Sequence, residues 1–204
     1  MPPLNDVTLT AKDGNLGRRA PSDDMISGLI TTGVASGDLV LGESNQLKSV
    51  DDLEALGIDA TYDSGNNILV YHHVKEFFRM NPSGTLWLMV VGQTVTMKDI
   101  ADVANPSYLL KLLKDAKGKI RQFGIGRNPV VGYTPTTTGG MDTDVFGAIP
   151  KAQQLCDAEW TAHRPVCGLI EGRSFTGSAT AATDLRTLDS KNIAVTILQD
   201  KEVA

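Results

Sequence analysis

At 204 residues the chain has room for one sizeable domain and at most a small appendage. Its 41% apolar content supports an ordinary core, while aromatics contribute only 5%. A net charge of −5 argues against a nucleic-acid-binding face, and no run approaches the ~20 apolar residues of a membrane-spanning helix.

Residues 1–24 read as an extended arm. Val7-Thr8-Leu9-Thr10 is a short strand former with no hairpin partner beside it, so its backbone groups must find a sheet edge elsewhere. Asp13-Gly14-Asn15 turns the chain, and the stretch that follows is polar and rich in breakers. The opening MPPLNDVTLTAKDG lacks the apolar stretch of a signal peptide, so folding in the cytoplasm is expected.

The core begins with MISGLITTGV, Met25 to Val34, as a first strand, followed by a short extended piece over Asp38–Leu41. Val50–Leu56 predicts one or two helical turns, capped by Ser49 and ended by Gly57. The organising stretch runs from Asn66 to Gly92. Val70, Tyr71, Val74, Phe77 and Phe78 fall on one helical stripe, with Asn66 or Asn67 as the cap. Asn81-Pro82-Ser83-Gly84 breaks the helix. The unbroken apolar run TLWLMVV then predicts a strand buried on both faces at the centre of the sheet.

Thr96–Asp99 resembles a capping box and opens a short helix to about Ala104. Pro106 suits a first helical position, and Leu109, Leu112, Leu113 and Ala116 form the next stripe, stopped by Gly118. Ile120–Ile125 reads as a strand. Residues 126–147, rich in Thr, Gly and Pro, read as a long loop with an exposed tip over Thr134–Asp144. A helix over about Ile149–His163 places Ile149, Ala152, Cys156, Trp160 and His163 near one side. A strand over Val166–Glu171, a helix over about Ala179–Leu188 and a strand over Asn192–Leu198 complete the chain. Two cysteines, Cys156 and Cys167, are too few for a disulfide scaffold and read as small buried hydrophobes. Helix-then-strand alternation predicts an α/β fold: a mixed, largely parallel sheet with helices packed on it over residues 25–204, plus the extended N-terminal arm.

No catalytic, cofactor-binding or metal-ligating set emerges. His72 and His73 are adjacent, so on a helix they point about 100° apart and cannot form an i, i+4 metal pair. Ser174 sits in GRSFTG where a nucleophile elbow would sit, but Thr176 occupies the position that needs glycine. Gly124-Ile125-Gly126-Arg127 lacks the third glycine and the following helix of a dinucleotide loop. Asp51-Asp52 and Asp142/Asp144 read as solvated caps and loop acids.

MISGLITTGVASG, LKSVDDLEALGID and HHVKEFFRMNPSGTLWLMVV, in this order, resemble the contractile tail sheath proteins of phages and related injection systems. LLKDAKGKIRQFGIG and PVCGLIEGR through DLRTLDSKNIAVTILQD fit the same plan. The resemblance implies a structural subunit, not an enzyme. It implies stacked hexameric rings around a tail tube protein, in a phage tail or related particle assembled in the bacterial cytoplasm, with no nucleic acid, membrane or cofactor involved. The VTLTAKDGNLGR segment is similar to the arm by which sheath subunits lace to neighbours, which makes Val7, Thr8, Leu9 and Thr10 the expected subunit contact. The alternative is an α/β enzyme or small-ligand domain with its site at the strand ends near 124–127 or 173–177.

Overall fold

A computed structural model of the chain describes residues 26–178 and 180–197. The expected arm, with Val7–Thr10, lies outside the described residues.

One six-stranded sheet organises the domain. Its strands are β1 (Ile26–Gly33), β2 (Ser44–Leu47), β3 (Thr85–Gly92), β4 (Gln122–Ile125), β7 (Cys167–Glu171) and β8 (Ile193–Thr196), in the order β2-β3-β1-β4-β7-β8. Only β2 runs antiparallel to its neighbour. The fold is therefore α/β with a mixed, largely parallel sheet, as the helix–strand alternation predicts. A two-stranded hairpin, β5 (Thr137–Thr138) with β6 (Met141–Asp142), stands apart.

Helices α1 (Val50–Ala55), α2 (Ala60–Asn66) and α3 (Val70–Met80) connect β2 to β3 and cover one face. Leu53, Tyr62, Val70, Val74 and Phe78 pack there against Leu86, Leu88 and Val90. Helices α4 (Met97–Ala101), α5 (Leu109–Asp115) and α6 (Thr143–Thr161) cover the other. Met97, Leu112, Val145 and Leu155 share that second core with Met89, Val91, Phe123 and Ile170. Successive β3 side chains serve alternate cores, which is why its apolar run has no polar interruption. β3 is interior, but β1 and β4 hold the centre of the sheet.

Ser49 and Asp52 form a capping box on α1, and Thr96 receives the Asp99 N–H at the start of α4. The α3 entry differs from expectation. Asn66 ends the separate helix α2, and Asn67 follows in the left-handed region at φ 54°. Leu69 takes the N-cap position without a side-chain bond. Asp63 caps the helix from inside α2, a residue whose role cannot be read from local spacing.

Other differences have local causes. Asp38–Leu41 forms a turn in which the Leu39 N–H donates to the Ser36 carbonyl at 2.8 Å. β2 went unpredicted because SNQL is polar and only Leu47 is buried. The stretch 126–147 is not one exposed loop: Met141, Asp142 and Val145 are buried, and α6 starts at Thr143. Pro150 lies inside that helix and masks its true start in the sequence. The buried stripe of α6 includes Glu159, while Trp160 stands 68% exposed. Cys156 is buried but Cys167 is exposed. The expected helix over 179–188 reduces, within the described residues, to a 3-10 turn at Leu185–Leu188 opened by Asp184.

Candidate functional site

β3 lies to one side of β1 and β4 to the other, so the connections reverse direction there. Ligands of open α/β sheets bind in the crevice at the carboxyl ends of such a pair. Here the loop after β4 fills it. Asn128 donates its side-chain N–H to Thr31 Oγ1 at 3.2 Å and to the Thr32 carbonyl at 2.9 Å. Its Oδ1 accepts from Leu69 N–H at 3.2 Å, and its backbone N–H donates to Thr32 Oγ1 at 2.7 Å.

Beside this plug Arg127 turns inward and pairs with Asp144 at 2.7 Å, their side chains 6% and 9% exposed. The guanidinium lies 4.5 Å from the centre of the Tyr133 ring. Burial, with a hydrogen bond to Asp142, pushes the Tyr133 hydroxyl pKa above its ordinary value. Asp144 also accepts the N–H groups of Met97 and Lys98, tying the loop to the first turn of α4. Glu171 accepts the Arg127 N–H at 2.8 Å, while Arg173 donates to the Arg127 carbonyl and to Glu171. The fold thus brings the stretches 124–127 and 173–177 together, but Arg127, Glu171 and Arg173 bond to one another.

Ser174 is exposed at φ 53° and leads into irregular chain, so the strand-to-helix geometry of a nucleophile elbow is not formed. A cleft of about 810 Å³ remains between α3 and the 128–135 loop, lined in part by Tyr71, His72, Lys75, Tyr133 and Ser174. His163 precedes β7 and so lies toward the opposite end of the sheet. Among the described residues, no three His, Cys, Asp or Glu side chains come together as a metal site.

A different surface is open among the described residues. On the face shared with α3, none of the described helices covers the side chains of β4, β7 and β8. β7 alternates exposed and buried residues, with Cys167 and Leu169 exposed, and Ala194 on β8 is exposed beside them. Gly124 adds no side chain to this floor. Phe77 and His73 of α3 form one wall of the resulting groove, which measures about 630 Å³. Sequence reasoning missed this surface. Its signal was the alternation in CGLIE and IAVT, set against the unbroken LWLMVV of a strand covered on both sides.

Compared with known protein families, residues 4–202 match the family described as DUF2586, N-terminal domain. No curated protein matches the chain.

Proposed function

We propose that this chain, which belongs to the DUF2586 family, is a structural subunit of a contractile tail sheath. Subunits would stack as hexameric rings around a tail tube, with Val7–Thr10 of one copy paired to a sheet edge of the next. Main-chain bonds would supply most of that contact. Contraction would then move rigid cores while the arms keep neighbours joined.

One observation carries this reading: most polar groups at the strand ends are engaged with one another, with Arg127 Nε and Arg173 Nε buried and unbonded, whereas among the described residues a sheet edge and an apolar half-face are left open. A core of that kind is better suited to holding another chain than to turning over a substrate. The resemblance of MISGLITTGVASG and HHVKEFFRMNPSGTLWLMVV to sheath proteins supports it independently. The cleft of about 810 Å³ favours the second reading, a small-ligand domain or enzyme at the strand ends.

Deletion of residues 1–20 is the test. The truncated chain should unfold cooperatively at the parent's midpoint yet form no rings or tubes in electron micrographs, where the full chain forms them at high concentration. Loss of the fold on deletion would mean that the arm serves its own subunit, and the reading would fail.

A further inference from the structure

The cleft of about 810 Å³ is bounded by the chain that follows β4, by Arg173 and Ser174 after β7, and by the first two turns of α3. One wall is apolar and fixed. Val130 and Val131 line it and stand 43% and 85% exposed. Their backbone is pinned nonetheless. Gln93 Nε2 donates to the Asn128 and Pro129 carbonyls at 3.2 and 3.3 Å, and the Tyr133 N–H returns to the Val130 carbonyl at 3.1 Å. Gly132 closes that turn at φ 86°, a conformation a side chain would resist. Two apolar side chains are thus held toward the cleft and not toward the core.

The other walls are cationic. Lys75 leaves α3 one turn beyond Tyr71, with its ammonium 5.7 Å from the centre of the Tyr71 ring, and among the described residues it meets no carboxylate. Arg173 also lines the cleft, its side chain 23% exposed. Nη1 carries its bonds to the Arg127 carbonyl and to Glu171, which leaves Nη2 uncommitted. The hydroxyl of the exposed Ser174 stands next along the chain. Asp63 is the one acid among the lining residues, and both of its oxygens are taken by backbone N–H groups of α3. Glu171, Asp142 and Asp144 do not line the cleft and bond to Arg173, Tyr133 and Arg127. Glu171 offsets part of the Arg173 charge, so Lys75 is the stronger handle. A chain of net charge −5 therefore turns cations, and no uncommitted carboxylate, toward this cleft.

We propose that the cleft binds a small organic anion, its carboxylate or phosphate held by Lys75, Arg173 and Ser174 and its planar or apolar body laid against Pro129, Val130 and Val131. The volume falls within the ~300–1,000 Å³ of metabolite-sized sites. The place, at the carboxyl ends of parallel strands beside the reversal of strand order, is where open α/β sheets take their ligands. This inference rests on the second reading above and gives it a ligand class. It is independent of the sheath, whose test lies in residues 1–20, so either can fail alone.

The probe is 8-anilinonaphthalene-1-sulfonate, a ring system with one negative charge. Its fluorescence with the full chain should saturate at one site with Kd on the order of tens of micromolar, ordinary for a ligand of that size. Lys75→Glu should weaken binding by about tenfold or more, while Lys75→Arg keeps it within about twofold. The ammonium makes no hydrogen bond among the described residues, so both variants should unfold at the parent's midpoint. Leu169→Glu, on the open sheet face, should change nothing. Phenyl phosphate or benzoate should displace the dye, and the stronger of the two identifies the head group; phenol should not. Binding that fails to saturate, that survives Lys75→Glu, or that is lost with Leu169→Glu overturns the assignment. Displacement by phenol as effective as by the anions overturns the charge recognition.

Discussion

Replacing Asp63 with alanine gives the sharpest measure of how α3 is held. The carboxylate is 8% exposed and receives three backbone donors, Val70 and Tyr71 on Oδ1 at 3.0 Å each and His72 on Oδ2 at 2.9 Å. These are first-turn N–H groups, for which a helix has no intrahelical acceptor, and the N-cap residue Leu69 supplies no side-chain bond to them. Loss of an exposed helix cap costs about 0.5–2 kcal/mol, and a hydrogen bond to a charged group contributes about 1.5–3 kcal/mol. Some of the freed donors will reach water once the side chain is gone, so the three bonds do not add in full. An Asp63→Ala loss of about 3 kcal/mol follows. Asp63→Asn keeps an acceptor for Val70 and Tyr71 but turns its amide against the His72 N–H, for a loss of about 1–2 kcal/mol. Urea unfolding followed by circular dichroism reads both, and with slopes of about 2–3 kcal/mol per molar the alanine midpoint should fall by roughly 1–1.5 M. An alanine variant within about 0.5 kcal/mol of the parent, or an asparagine variant no better than alanine, would refute the capping argument.

Asp144→Ala strands the buried Arg127 guanidinium and releases the Met97 and Lys98 donors, and should cost about 3–5 kcal/mol in unfolding free energy. Arg127→Met combined with Asp144→Leu should recover part of that loss, because no buried charge is then left alone. Burial pushes the Cys156 thiol up to about 12, while Cys167 lies open on the sheet face. Native protein at pH 8 should therefore show one fast-reacting thiol toward Ellman's reagent. The second should appear only on unfolding, and Cys167→Ser should abolish the fast phase. Two equally fast thiols would mean that α6 does not seal its core.

Local periodicity was enough for much of this fold. The stripes at Val70/Val74/Phe78 and Leu109/Leu112/Leu113/Ala116 are written at helical spacing, and the two-sided burial of β3 shows as an absence of polar residues. The features that failed to appear are those set by contacts distant in sequence. Asp63 looks like one more polar residue until α3 folds back over it. By sequence Asp144 reads as a solvated loop acid, yet it joins Arg127, 17 residues away, to the start of α4, 47 residues away. Tertiary burial extended α6 across Pro150 against the local signal. In the opposite direction, the stretch 179–188 yields only a 3-10 turn at Leu185–Leu188 within the described residues, although Leu185 and Leu188 pack against the core. The open half-face is the converse case, since bareness belongs to the assembled sheet and to no single strand.

The residues preceding Ile26 enter the molecule at β1, which lies between two parallel neighbours. It is registered to β3 from Ile26 to Gly33 and to β4 from Ser27 to Ile30. A pull along that leading segment is directed down the axis of an inner strand. It must shear both ladders at once, whereas a load on an outermost strand would break its bonds one after another, like a zip. A load applied through this connection would reach the part of the sheet best placed to resist it.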